Sequence, residues 1–313
     1  MVRGENIILR YRKFTIIIII LIFVFSFIIL QVYRNNNILQ WTINSQKINT
    51  INIDLPKEEP LKLNQSEYPI IAVVDATIDE KNIYLEDTII RGNNFRYKEA
   101  LDHGTAITGI IAAHGNKNKY KGIIENAKII SIVINIDKFN IKELLKSLKV
   151  AELRGVKVVN CSFTISEYSK ELYDYIKQSN MLFVCAAGND NRNSLSYPAN
   201  FDLPNIISVV AINKYGYISS NSNYSLNADI AAPGENILCI FGKNEFHELS
   251  GSSVAVPHIT AACAYIIDQT GYNAIDTKKF LLQNSKQLKS LKNRVRDEKV
   301  ISFSQIIKAL TQK

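Results

Sequence analysis

Three serines, Ser250, Ser252 and Ser253, precede an apolar helical pattern in the carboxyl-terminal part of the 313-residue chain. They lie in the segment "ELSGSSVAVPHITAACAY", residues 248–265. A serine hydroxyl is a poor nucleophile until a neighbouring base takes its proton. Serines at the start of a helix also cap its free N–H groups. The segment therefore predicts either a nucleophile for acyl transfer or a capped helix, and the choice depends on a base elsewhere in the chain.

The usual base for a serine is a histidine, and the chain has four of them. His103 precedes Gly-Thr at the predicted start of a helix and is the best candidate for the base. We expect His114 to be a solvated residue at the far end of that helix. His247 is expected in a loop, and His258 is expected to be a structural residue inside a helix.

Apolar runs typical of buried strands alternate with helical patterns along the chain. The predicted strands are residues 70–75, 128–134, 156–161, 182–186 and 206–212, and two of the helical patterns are residues 141–155 and 167–180. This alternation predicts a parallel sheet covered on both faces, with ligand sites beyond the carboxyl ends of the strands. Asp75 ends the first predicted strand and is therefore the candidate carboxylate that orients His103.

The order Asp75, His103, serine is one of the known chain orders of a catalytic triad. The blocks "IIAVVDATI", "HGTAITGIIA" and "GSSVAVPHITAACA" resemble the Asp, His and Ser blocks of the subtilases, the subtilisin-like serine peptidases. Intervening blocks such as "CAAGND" and "SYPANFDLPNIISVVAI" follow in the family's order. The resemblance implies a three-layer, subtilisin-like α/β fold with a mainly parallel central sheet over residues 67–313. It also selects Ser253 as the nucleophile.

The resemblance also implies roles for residues around the triad. Asn189 would supply the side-chain amide of the oxyanion hole, although an asparagine after a strand is also common in turns. The substrate would be a polypeptide, bound as an extended strand beside "CSFT", residues 161–164. The implied substrate-binding residues are Ser162, Phe163, Ala186, Ala187 and Gly188, for which ordinary core packing is the alternative.

Several positions depart from the family pattern without removing a catalytic atom. Ala76 and Thr77 follow the aspartate, where the family usually has Ser or Thr and then Gly. Thr164 stands where a glycine is frequent, and we expect it to narrow the substrate subsites. Ala106 replaces a usual histidine, and Val254 replaces the methionine beside the nucleophile. The chemistry needs no cofactor and no metal, and the calcium sites found in the family cannot be assigned to residues here.

The amino terminus contains the uncharged segment "FTIIIIILIFVFSFIILQV", residues 14–32. As a helix these 19 residues span about 28 Å, enough to cross a bilayer. We therefore predict a cytoplasmic basic segment at 1–13, a transmembrane anchor at 14–33 and a polar linker at 34–66. The basic residues before the span place the peptidase domain outside the cytoplasm. The alternative is a cleaved signal peptide and a secreted enzyme, but no small-x-small site follows the span.

The net charge of +8 raises the question of a nucleic-acid partner. Residues 1–40 carry five basic residues and one acidic residue, and much of the remaining excess lies in 278–299, which we predict to be a solvated, lysine-rich helical stretch. Basic and aromatic residues do not interleave, so we expect no nucleic acid. The four cysteines form no C-x-x-C pair, and Cys161 and Cys185 are predicted to be core residues.

Taken together, the sequence predicts a serine endopeptidase tethered to the outer face of a cell membrane, with the bilayer contacted through residues 14–33. Small, anchored subtilases with little prosegment resemble the peptidases that remove leader peptides from lantibiotics, and this gives the substrate hypothesis. Two alternatives belong to other classes. One is a catalytically inactive subtilase fold that serves as a membrane-bound binding module, and the other is a membrane structural or signalling protein.

Overall fold

The computed structural model describes residues 60–64, 70–93, 101–114, 120–125, 127–135 and 138–312. The predicted basic segment 1–13, the predicted anchor 14–33 and most of the predicted linker 34–66 lie outside the described residues. In the part of the chain that is described, none of the helices combines the length and the apolar character needed to cross a bilayer.

The described part is built from short strands and six helices. The strands are β1 (Leu61–Lys62), β2 (Ile71–Asp75), β3 (Ile89–Arg91), β4 (Ile124–Glu125), β5 (Ile129–Val133), β6 (Val158–Cys161), β7 (Leu182–Ala186), β8 (Ile206–Ile212), β9 (Ile230–Pro233), β10 (Ile237–Ile240), β11 (Phe246–Leu249), β12 (Lys286–Gln287) and β13 (Lys299–Val300). The helices are α1 (Leu101–Ala112), α2 (Ile141–Leu153), α3 (Lys170–Gln178), α4 (Ser252–Thr270), α5 (Ala274–Gln283) and α6 (Phe303–Thr311).

The central sheet has nine strands in the described residues, in the order β12-β13-β9-β8-β7-β6-β2-β5-β3. All neighbours from β13 to β3 pair in parallel, and only the edge pair β12–β13 is antiparallel. β2 lies between β5 and β6, so β2 is an inner strand and its carboxyl end has a strand end on either side. The predicted α/β class with a mainly parallel central sheet is confirmed.

The strands form where the sequence is β-branched and apolar. Every residue of β2, β5, β6, β7 and β8 is buried. Because successive side chains of a strand point to opposite faces, such burial requires cover on both faces. All five predicted strands are present, with boundaries that differ by two residues at most. The two predicted amphipathic helices correspond to α2 and α3.

Helix α4 is the main element packed on one face of the sheet, against β6, β7, β8 and β9. Fourteen of its nineteen residues are buried, which explains why its sequence shows no polar face. The helix ends at Gly271, whose φ of +70° is the left-handed conformation that favours glycine at a helix end. α4 therefore holds its first residues firmly at the edge where β2 ends.

Three expectations about individual segments are corrected. His114 is not a solvated residue at a helix end, because α1 ends at Ala112 and the half-buried ring of His114 contacts the Thr88 hydroxyl at 2.7 Å. His247 lies in strand β11 and not in a loop. The stretch 278–299 is helical only to Gln283, and beyond it lie β12, β13 and two 3₁₀ turns.

His258 has the structural role that was predicted. The ring is buried inside α4, and its Nδ1 lies 3.2 Å from the Val254 carbonyl oxygen, to which it donates a hydrogen bond. Burial lowers the pKa of His258 to about 4, so the ring is neutral at physiological pH. The end of the predicted linker also contacts the domain, since β1 pairs in parallel with β4.

Candidate active site

Three side chains from distant parts of the chain form one hydrogen-bonded line. Asp75 is the last residue of β2, His103 lies in the first turn of α1, and Ser253 is the second residue of α4. The Asp75 Oδ1 to His103 Nδ1 distance is 2.7 Å, and His103 Nε2 lies 3.2 Å from Ser253 Oγ. A carboxylate only accepts hydrogen bonds, so Nδ1 carries the ring proton and Nε2 is free to accept from the serine hydroxyl.

The electrostatics of this line favour a histidine that can take up a proton. Asp75 is almost fully buried, whereas 34% of the His103 side chain is exposed. The negative charge of Asp75 raises the pKa of His103 above its ordinary value, against a smaller lowering from burial. Asp75 Oδ1 also accepts from the Ala76 N–H at 2.7 Å, but no donor of the described residues reaches Asp75 Oδ2.

Ser253 is held at the start of α4 by contacts to its backbone. The Ser162 hydroxyl donates to the Ser253 carbonyl oxygen at 2.8 Å. Behind it, the Asn160 amide donates to Ser162 Oγ at 2.8 Å, and the Thr260 hydroxyl donates to Asn160 Oδ1 at 3.0 Å. These groups connect β6 with the first turns of α4. The free N–H groups and the positive dipole end of the helix favour negative charge beside Ser253.

Asn189 follows the end of β7 and reaches the start of the same helix. Its Oδ1 accepts from the Ser252 N–H at 2.8 Å and from the Ser252 hydroxyl at 3.0 Å. Because a backbone N–H only donates, the atom that it contacts must be the amide oxygen, and the opposite end of the amide is the NH₂ donor. The exposed Asn189 therefore offers a donor whose orientation is set by Ser252.

Glycine is required beside this amide. Gly251 has a φ of +153°, and a Cβ placed on it would lie 3.0 Å from Asn189 Nδ2. A larger residue would strain the backbone and displace the amide. The Gly-Ser-Ser sequence therefore has three separate uses: a close approach at Gly251, an anchor for Asn189 at Ser252 and a hydroxyl at Ser253.

The predicted substrate-binding residues line the ends of β6 and β7. Ser162 and Phe163 follow β6 and are each 7% exposed. Ala186 and Ala187 are buried, so their side chains belong to the core, and both backbone groups of Ala187 already have partners in the protein. Gly188 has a φ of +108°, and a Cβ there would clash with Asn223 and Ser196. All five positions are buried, and of these only Phe163 lines an open groove in the described part of the chain.

An open groove beside Phe163 was missed by the sequence analysis. It has a volume of about 470 Å³ and is lined by Phe139, Phe163, Ile165 and Tyr168, with Glu167 also contributing. The rings of Phe139 and Phe163 lie 5.6 Å apart. Phe139 lies on a different segment from Phe163 and Tyr168, and no spacing in the sequence brings it beside them.

No metal site can be built from the described residues. They contain no group of three or more His, Cys, Asp or Glu side chains that could hold an ion. The four cysteines are buried free thiols, and burial raises the pKa of Cys185, Cys239 and Cys263. They are core residues, as predicted for Cys161 and Cys185.

A Ser–His–Asp line at the carboxyl edge of a mainly parallel sheet, with chain order Asp, His, Ser, defines a protein of the subtilisin class. Residues 66–299 match the Subtilase family, and the chain belongs to this family. The resemblance of its sequence blocks to the subtilases is thereby confirmed.

Curated relatives are named as serine proteases. The chain is 27% identical over 229 residues to the thermophilic serine proteinase of Bacillus sp. strain AK1, which covers 70% of this chain and 56% of that protein. It is 32% identical over 215 residues to the intracellular serine protease of Paenibacillus polymyxa, covering 63% of this chain and 65% of that protein. The chain thus spans less than two thirds of the length of these two relatives.

Solved structures share the fold. The protease domain of PatA superimposes with a TM-score of 0.66 at 20% identity, over 80% of this chain and 98% of that one. The prenylagaramide maturation protease PagA superimposes with a TM-score of 0.64 at 21% identity, over 77% of this chain and 93% of that one. At such identities the likeness concerns the fold, which is the predicted subtilisin-like fold.

Proposed function

We propose that the chain is a serine endopeptidase in which Ser253 is the nucleophile. The observation that carries this proposal is the hydrogen-bonded line from Ser253 Oγ through His103 to Asp75. Membership of the Subtilase family and relatives named as serine proteases support it.

In this proposal the triad residues have separate tasks. His103 Nε2 takes the Ser253 proton as Oγ attacks the carbonyl carbon of the peptide bond. The same proton then passes from His103 to the leaving amine, and water later releases the acyl group by the reverse transfer. Asp75 holds the ring by its Nδ1–H and stabilises the imidazolium that forms.

We assign the oxyanion to two donors at the start of α4. The Asn189 NH₂ group and the Ser253 backbone N–H would both bind the negative oxygen of the tetrahedral intermediate. Support comes from the Ser252 contacts that fix the Asn189 oxygen and so direct the amide nitrogen to the other side. Donors that are held in advance lower the barrier more than donors that must reorient.

The polypeptide substrate would bind as an extended strand beside residues 161–164. The groove lined by Phe139, Phe163 and Tyr168 would then take apolar side chains on the amino-terminal side of the cut. Thr164 lines this groove, so it is placed to narrow the subsite, as proposed from the sequence.

The setting in the cell is inferred from the sequence alone. The apolar segment 14–33 would anchor the chain in a cell membrane, with the peptidase domain on the extracytoplasmic side. The physiological substrate would be a secreted peptide, such as a lantibiotic precursor, whose leader is removed there. The PagA structure, which shares the fold, is named as a maturation protease.

The test is digestion of a defined peptide library by the full chain in nonionic detergent, followed by mass spectrometry. The proposal predicts discrete cut sites with wild-type protein and none with Ser253→Ala. Cuts of equal rate in both proteins would show that Ser253 is not the nucleophile. Candidate precursor peptides in the same assay address the leader-peptidase hypothesis, which fails if unrelated casein is digested without site preference.

A further inference from the structure

A cluster of exposed cationic and apolar side chains lies on two segments that contain no acidic residue. We call it the basic surface and define it by Lys214, Lys289, Lys292 and Arg294, together with Tyr215, Tyr217 and Leu226. Residues 213–227 and 286–296 include no Asp or Glu at all. Tyr215, Tyr217 and Leu226 are 51%, 60% and 58% exposed, which is high for such side chains.

Hydrogen bonds join the two segments into one surface. The Ser290 hydroxyl donates to the Gly216 carbonyl oxygen at 2.7 Å, so Lys289 lies beside the loop that carries the two tyrosines. The Ser225 N–H donates to the Arg294 carbonyl oxygen at 3.0 Å. The Arg294 guanidinium stacks over the Tyr224 ring at 4.0 Å. The cations and the exposed aromatic rings therefore face solvent as neighbours.

Two cations of the basic surface contact aromatic rings of the protein, Arg294 on Tyr224 and Lys214 on Tyr215. Among the described residues, no carboxylate lies within ion-pair distance of Lys214, Lys289, Lys292 or Arg294. The adjacent Arg296 differs, because it contacts the buried carboxylate of Asp229 at 3.4 Å. Arg296 is therefore not part of the basic surface.

The basic surface is continuous with the loop that carries Asn189. The Asn223 N–H donates to the Gly188 carbonyl oxygen at 2.8 Å, and Asn223 Oδ1 accepts from the Asp190 N–H at 2.9 Å. The Tyr224 N–H donates to the Arg192 carbonyl oxygen at 2.9 Å. Arg294 is therefore separated from the Gly188–Asn189 loop only by Tyr224 and its neighbour. A peptide that continues past Ser253 along this loop would extend towards the surface by ~3.3 Å per residue.

We propose that the basic surface is a second binding site for the polypeptide substrate and that it takes an acidic segment outside the cleaved bond. This inference deepens the proposed function and rests on it. Lys and Arg side chains pair with Asp and Glu carboxylates, and exposed tyrosines add apolar contact with a polar tip. Such a surface raises the rate of encounter and selects among substrates with the same cleavage sequence.

A lipid surface is the competing partner for basic and aromatic side chains. The position of the basic surface favours a peptide, because it adjoins the Gly188–Asn189 loop. The test is therefore made in nonionic detergent, where no anionic lipid is present and the lipid alternative predicts no effect of peptide charge.

The experiment compares two peptides with one cleavage sequence, flanked on both sides either by Asp and Glu or by Asn and Gln. At low salt we expect wild-type kcat/KM to be about tenfold higher for the acidic peptide, as three exposed ion pairs allow, and the preference to fade with added salt. The triple variant Lys289→Gln, Lys292→Gln, Arg294→Gln should lose the preference and cleave the neutral peptide normally. The matched variant is Lys142→Gln, Lys146→Gln, Lys149→Gln on α2, which removes the same amount of charge from another exposed face. This variant should keep the preference for the acidic peptide.

The proposal would be overturned if both triple variants preferred the acidic peptide over the neutral one to the same degree. It would also be overturned if the wild-type protein showed no such preference. If wild type cleaves neither peptide, the proposed function fails, and the second site is then judged by binding. Fluorescence anisotropy of the labelled acidic peptide with Ser253→Ala protein should show affinity that the basic-surface variant lacks. If the acidic peptide binds Ser253→Ala protein with the same affinity with and without the basic-surface substitutions, the second site is contradicted, whether or not the protein is a peptidase.

Discussion

His103 Nε2 lies 3.2 Å from Ser253 Oγ although 150 positions separate the two residues in the chain. The contact arises because α1 and α4 both begin at the edge of the sheet where β2 ends. The Ser253 hydroxyl on α4 is a poor nucleophile by itself. It gains a base, His103 on α1, only because the two helices pack together.

The first prediction concerns the acid limb of activity. His103 must be neutral to accept a proton, and Asp75 raises its pKa, so kcat/KM should fall as the pH drops through a value above the ordinary histidine pKa of ~6.5. Asp75→Asn should lower kcat about 10⁴-fold and move the remaining acid limb to lower pH. The exposed Asp87→Asn is the control and should leave the profile unchanged. If the acid limb of Asp75→Asn stays at the wild-type pH, the Asp75 charge does not raise the pKa of His103.

The second prediction concerns the unpartnered oxygen of Asp75. Ala76→Ser puts a hydroxyl on the residue that follows Asp75, to act as a donor to Asp75 Oδ2, which has no hydrogen-bond partner among the described residues. A hydrogen bond spreads the carboxylate charge, so the pKa of His103 should fall and the acid limb should move down by about 0.4–1 pH unit, equivalent to ~0.5–1.5 kcal/mol. Ala76→Cys, with a similar size and a weak donor, should move it less. An upward shift in Ala76→Ser would refute this account of Asp75.

The third prediction isolates the oxyanion donor. Asn189→Ala should lower kcat about 10²–10³-fold with little change in KM, because the lost hydrogen bond forms in the transition state. Steady-state kinetics on one peptide measure both constants. Asn193→Ala, an exposed residue of the same loop, is the matched control. If KM rises while kcat is retained, Asn189 binds the substrate and is not the oxyanion donor.

The fourth prediction concerns stability away from the site. The Lys278 ammonium lies 2.9 Å from Oδ2 of the buried Asp229, and Arg296 contacts the same carboxylate at 3.4 Å. Lys278→Met should lower the free energy of unfolding by about 3 kcal/mol, because it leaves a buried carboxylate with a single, more distant cation. The exposed neighbour Lys279→Met should change it by less than ~0.5 kcal/mol. Denaturant titrations followed by circular dichroism would measure both, and equal midpoints would contradict the role of Lys278.

The sequence predicted the parts of the fold that depend on local pattern. The buried strands are continuous apolar runs, and Asp75, His103 and Ser253 are recognisable because their blocks occur in one order. Asn189 was identified by the same resemblance, and the contacts of Ser252 now give a physical reason for its orientation. The strands follow from residues that are close together in the chain, whereas the site residues were identified because each lies in a short block that resembles the same family.

Features built from distant segments could not be predicted. The hairpin of β10 and β11, which contains His247, has strands of only four residues each, and β11 has no buried residue that would mark it as a strand. His114 was expected in solvent because its partner, Thr88, lies 26 positions away on another element. The groove beside Phe163 and the basic surface likewise join separate segments, and no spacing in the sequence indicates them.

The most direct test of the central claim is covalent labelling of the full chain with a serine-directed phosphonate, followed by mass spectrometry of the digested protein. The account predicts one adduct, on Ser253, formed quickly in wild type and very slowly in His103→Ala. An adduct on another serine, or labelling of Ser253 at the same rate without His103, would contradict the claim that these two residues act together.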